Sequence, residues 1–311
     1  MESKMKLTQL IAVAALGFAL PFSAGAQGLT QIDTTVRLDR QGTVDLSLIS
    51  GRIQVTAWDR QEVKISATTA GDQRLRFDAS PSRVTLTIDH GRGRNRQSSD
   101  ARYDVSVPRG AHLNLEAVSG NVTATGSQGE VEASSVSGNV EVSGGGRQVN
   151  VESVSGSVRV SQVIGNLRAE SVSGHVRAEG ITGTVEASTV SGTISLTNIQ
   201  SRDVRTETVS GNIQYTGTVE AGGKYDFESH SGTLQLNIPP SAGARVSVET
   251  FSGDIDTDFQ VVVQPGQRMR RSGSFEFTIG DGQARITATT FSGRILINNR
   301  DTAPTTRRND E

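Results

Sequence analysis

Chemistry at neutral pH needs a nucleophile, a base or a metal held by close neighbours, and this 311-residue chain offers few such groupings. It contains no cysteine, which removes thiolate catalysis and cysteine-bound zinc. Its four histidines, His90, His112, His175 and His230, are scattered, and none has a partner at HxxxH spacing. A phosphate-cradling GxxxxGK[ST] loop, a GxSxG elbow and the nine-residue calcium-binding GGxGxD repeat are all missing. No catalytic, cofactor-binding or metal-binding residue is therefore assigned.

Two groupings come nearest to a site. Glu116, Glu152, Glu170, Glu207, Glu228 and Glu249 recur at one position of a repeat, with Ser134 and Ser188 interrupting them. Stacked carboxylates repel one another and could hold a cation. They could equally be balanced by Arg159, Arg168, Arg177 and Arg205, and a balanced, solvated surface is the expectation. In His90–Arg96, Arg92, Arg94 and Arg96 alternate with small residues, a pattern able to clasp an anionic sugar or lipid phosphate. A solvated loop is the simpler reading of that segment.

The repeat that carries the glutamates dominates the chain. A Ser-Gly pair, usually preceded by Val or Phe, places its glycine at Gly120, Gly138, Gly156, Gly174 and Gly192, always 18 residues apart. The series continues through Gly211, Gly232, Gly253, Gly273 and Gly293 at intervals of 19, 21, 21, 20 and 20, and Gly51 is an earlier isolated copy. Two residues after the glycine stands an aliphatic, as at Val122, Val140, Val158 and Val176; seven before it stand Leu113, Val131, Val149 and Leu167. This alternation marks short strands with one buried face, two per unit, joined by turns.

A unit so small buries its apolar face only by stacking on copies of itself. The fold expected is all-β: a single-domain parallel β-helix, or β-solenoid, with about 18–21 residues per coil. A propeller blade needs about 40 residues, more than this period. The corner glycines are expected to be structural turns that adopt positive φ, with the preceding serine bonding nearby backbone. Three residues before each glycine comes a small residue, such as Ser135, Ser153, Ser171 or Thr189. Strict alternation turns it inward and Val118, Val136, Val154, Val172 and Val190 outward; a bend reverses this, and burying five valines is the energetically better guess.

Four regions follow. Residues 1–26 read as a signal peptide: Lys4 and Lys6, an apolar run from Leu7 to Leu20, then Ala24-Gly25-Ala26. Residues 27–112 are β-rich but irregular and are expected to begin and cap the solenoid, residues 113–300 form its regular coils, and 301–311 make a disordered tail. No later apolar stretch is long enough to span a membrane, and no lipoprotein cysteine follows the apolar run. Export to the periplasm or the medium is expected. With 31 basic and 33 acidic side chains, nothing draws the chain to nucleic acid.

The Gly51–Asp59 segment GRIQVTAWD, the Val-Pro-Arg-Gly run at Val107–Gly110 and the repeated Val-Ser-Gly-Asn-Val units resemble the bacterial putative-adhesin domain family of unknown function, whose style is similar to that of head-domain adhesins. The resemblance spans residues 30–298 and implies no catalytic residue. It implies a non-catalytic envelope protein presenting a repetitive β-surface to an unidentified envelope or extracellular polymer or protein. A polysaccharide-active β-helix enzyme and an envelope-stress accessory that binds lipid or peptide are the alternatives.

Overall fold

The structure is a computed structural model that describes residues 30–70, 73–89, 100–260 and 273–299. The signal segment, the Arg92–Arg96 run and the 301–311 tail lie outside the described residues.

The chain is all-β, and its described strands join in one hydrogen-bonded sheet wound into a parallel solenoid. In the central coils, strands pair with the strands one unit away at identical repeat positions. Val131 lies opposite Val149, Val149 opposite Leu167, and Leu167 opposite Val185. After the corner, Val140, Val158, Val176, Ile194 and Ile213 form a second ladder. Like therefore stacks on like, and a sequence period becomes a spatial one. Nearer the ends the two strands of a coil merge across the corner into one long strand, as in His112–Ser127 and Lys224–Ile238.

The interior is thin. Most inward positions carry Val, Ile, Leu or Ala and are fully buried, and a column of buried Ser and Thr runs beside them near the corner. Where coils lengthen, larger side chains fill the added width: Tyr215, Tyr225 and Phe227 pack together with ring centroids 5.1 and 6.1 Å apart. The Tyr225 hydroxyl donates to the Ser201 carbonyl at 2.6 Å and accepts from the Glu220 amide at 2.8 Å, so its polar tip stays satisfied.

Both ends depart from sequence order. The strand Thr43–Trp58 lies between His112–Ser127 on one side and Arg83–Asp89 with Ala101–Pro108 on the other. Antiparallel strands then finish that end: Gln31–Arg37 on Glu62–Thr68, and Arg74–Ala79 on Arg83–Asp89. At the far end Ala284–Asn299 inserts between Lys224–Ile238 and Ala244–Thr257. Gly273–Ile279 closes Ala244–Thr250 in antiparallel fashion.

This arrangement corrects the glycine series. Gly232 is followed in space by Gly293 and then by Gly253. Gly273 stands outside the column, opposite Thr250 on the closing strand, with open space where a Cβ would be. Its place at a 20-residue interval is a coincidence of spacing.

Candidate interaction face

The corner is where the repeat exposes its most regular chemistry. Gly51, Gly120, Gly138, Gly156, Gly174, Gly192, Gly211, Gly232, Gly293 and Gly253 stack there, each against the backbone of its neighbour. Positive φ explains few of them: in this column only Gly51 and Gly232 have it, at +124° and +143°. The general cause is close approach. A Cβ on Gly156 would overlap the carbonyl oxygen of Gly138, and one on Gly174 would overlap that of Gly156. Glycine is required because the next coil sits where a side chain would begin.

Three residues earlier the small side chain points inward, and in the central coils it ties one coil to the next. Ser135, Ser153 and Ser171 donate from their hydroxyls to the carbonyls of Gly120, Gly138 and Gly156 at 2.8, 2.9 and 3.0 Å. Ser153 and Ser171 also accept from the amides of Gly156 and Gly174, at 3.0 and 2.9 Å. The bonding expected of the serine next to the glycine is thus made by the hydroxyl two residues before it.

Those bonds, with the one from Thr189 to the Gly174 carbonyl, set the outward direction of Val136, Val154, Val172 and Val190; Val118 and Val209 keep the same direction beside Ala117 and Thr208, which make no such bond among the described residues. Val118, Val136, Val154, Val172, Val190 and Val209 are 44–49% exposed, the reverse of the orientation favoured by burial alone. Turning a half-exposed valine inward gains about 1 kcal/mol. Removing the hydroxyl strands a buried carbonyl or amide at about 1–3 kcal/mol for each group. The hydroxyl wins. The column of these hydroxyls was the sequence signal that reveals the outward valines.

The outward column is continuous. Backbone bonds hold it in step: the amides of Val136, Val154 and Val172 donate to the carbonyls of Ala117, Ser135 and Ser153, each at 3.1 Å. Beyond Val209 it runs on through His230, Phe291 and Phe251, whose rings stack at 4.9 Å centroid spacing and within 6° of parallel. A shallow groove of about 340 Å³ opens beside these rings, with Glu207, Glu228 and Glu249 on its acidic side.

The glutamate column is also brought together. Glu152 lies opposite Glu170, and Glu207 opposite Glu228, whereas Ser134, Ser188 and Thr289 separate the other acids. Charge balance is only partial. Arg168 pairs with Glu170 at 2.5 Å and Glu186 at 3.2 Å, whereas Arg159, Arg177 and Arg205 form no ion pair among the described residues. Among those residues no group of three His, Asp or Glu is placed to hold a metal ion. His175 accepts from the Thr193 amide at 3.1 Å, and His230 stacks on Phe291, so both have structural work. Among the described residues no helix is long and apolar enough to cross a membrane.

Fold and corner together define a β-solenoid repeat protein whose exposed column is apolar and edged by carboxylates. The chain belongs to the Toastrack DUF4097 family, whose model matches residues 45–298. Among solved structures it is similar to a putative cell adhesion protein from Clostridium sporogenes ATCC 15579, at 8% identity and a TM-score of 0.21, covering 86% of this chain and 99% of that one. It is also similar to a putative adhesin from Bacteroides fragilis NCTC 9343, at 14% identity and a TM-score of 0.39, covering 86% of this chain and 96% of that one. No curated protein matches it.

Proposed function

We propose that this is a non-catalytic envelope protein of the adhesin or scaffold kind, exported to the periplasm or beyond, which presents its repetitive β-surface to a polymer or protein partner. The observation that carries the reading is the unbroken outward column from Val118 to Phe251. Single exposed apolar residues are ordinary on a protein surface, but a contiguous run of them marks a contact site. The carboxylates beside it repeat along the rod, and among the described residues no three of them are placed to hold a metal ion, which suits recognition better than turnover. The N-terminal basic, apolar and small-residue pattern supports export.

The test is a binding and turnover screen of residues 27–311 against purified envelope glycans and lipids. Binding without product is expected. New reducing ends or unsaturated sugars overturn the reading.

A further inference from the structure

We infer that the valine column is the contact surface between two copies of this chain, lying side by side with their solenoid axes parallel. This names a partner for the outward column and rests on reading that column as a contact face.

The spacing of the column matches only a copy of itself. Coils repeat at about 4.8 Å, so the column is a ruler with that spacing. A helix offers one turn every 5.4 Å, and an extended strand offers same-face side chains about every 6.7 Å. Either drifts out of step within a few coils. A second copy has the same spacing and keeps every valine opposed along the whole length.

The column is also large enough for a specific contact. From Val118 to Phe251 the column crosses nine coils in spatial order, roughly 40 Å. From the glutamates to the residue after the glycine is five residues, roughly 16 Å of chain. Pairing two such strips covers about 1,300 Å² in total, at the lower end of the range for specific complexes. A dimer of moderate, concentration-dependent stability is expected.

Charge selects the orientation. The glutamates of this column all lie on one side of the valines; past the corner, on the other side, one repeat position carries Arg159 and Arg177 in the central coils, with Glu141 before them and Asp256 at the far end. With antiparallel axes the two glutamate columns face each other and repel. With parallel axes related by a two-fold along the rod, the two glutamate columns lie apart, and Glu152 and Glu170 of each copy face the other's Arg159 and Arg177 at the same coil level. Glu152 shares a coil with Arg159, and Glu170 with Arg177, and neither arginine has an ion-pair partner within its own chain among the described residues. Such an interface is isologous, each valine meeting its own counterpart.

The absence of native cysteine makes a clean test possible. Sedimentation of the mature chain should give twice the monomer mass at micromolar concentration, and Val154→Glu with Val172→Glu should halve it while circular dichroism stays unchanged. Under mild oxidation, Val118→Cys and Val209→Cys should each form a disulfide-linked dimer. In an antiparallel pair neither meets itself, and cross-linking instead needs Val118→Cys mixed with Phe251→Cys. Glu152→Arg should weaken the dimer and Arg159→Glu added to it should restore it. A monomer at all concentrations, or the antiparallel cross-link, overturns the proposal. A monomer that still binds glycan or lipid through the column defeats the dimer and leaves the adhesin reading standing. A dimer that binds nothing else has the opposite meaning.

Discussion

Ser171 shows how much of this protein rests on small polar side chains. Its hydroxyl joins one coil to the next, donating to the Gly156 carbonyl and accepting from the Gly174 amide. Ser171→Ala should cost about 2 kcal/mol in denaturant unfolding, because both backbone groups are buried and lose their partner. Thr206 is the opposite case. It is fully buried at a position where other coils carry Val151 or Ala169, and its hydroxyl has no partner among the described residues. Thr206→Val should raise stability by about 1 kcal/mol in the same assay. Tyr103 adds a dependence on pH. It is buried, its hydroxyl donates to the Ser47 carbonyl at 3.2 Å, and desolvation holds its phenol well above the usual tyrosine range. Its contribution is complete below about pH 10, where the unfolded phenol keeps its proton, and fades as pH rises above that. Tyr103→Phe should therefore flatten the alkaline fall in melting temperature while changing little at neutral pH.

At the scale of the strand, the corner sets the design. Gly156→Ala should cost about 3 kcal/mol, since the new methyl meets the Gly138 carbonyl and the coils must part. Calorimetry of that variant against Val154→Ala, which truncates an exposed side chain nearby, separates a corner effect from a general loss of apolar area. Much of this was legible in the residues. The 18-residue interval, the alternating valines and the glutamate column all became ladders in the expected register. The direction of Val136, Val154, Val172 and Val190 was not legible from apolar area alone, because the hydrogen bonds of Ser135, Ser153, Ser171 and Thr189 outweighed it. Strand order at the ends was also hidden. Gly253 and Gly293 carry nearly the same local pattern, and only the three-dimensional stack decides which of them sits beside Gly232.

Across the whole molecule, each coil touches only its neighbours, so length is a free parameter. Removing Asn139–Gly156 joins Gly138 directly to Ser157 and leaves every remaining residue at its own repeat position. The shortened protein should fold with a β-sheet spectrum and a modestly lower melting temperature. Removing only Asn139–Arg147 shifts the repeat by half a unit, pairs unlike positions and should give insoluble material.

The insertion of Ala284–Asn299 between two earlier strands has a consequence in time. From His112 onward, a chain emerging from its amino terminus can lay down coils in order as far as Ile238. The strand Ala244–Thr257 then arrives first at a place that belongs to Ala284–Asn299, and it matches that place position for position, with Gly253 able to stand in for Gly293. The rod thus passes through a stage with two claimants for one slot. It reaches its final order only when the later strand displaces or forestalls the earlier one, so the last coil to be synthesised settles the arrangement of the one before it.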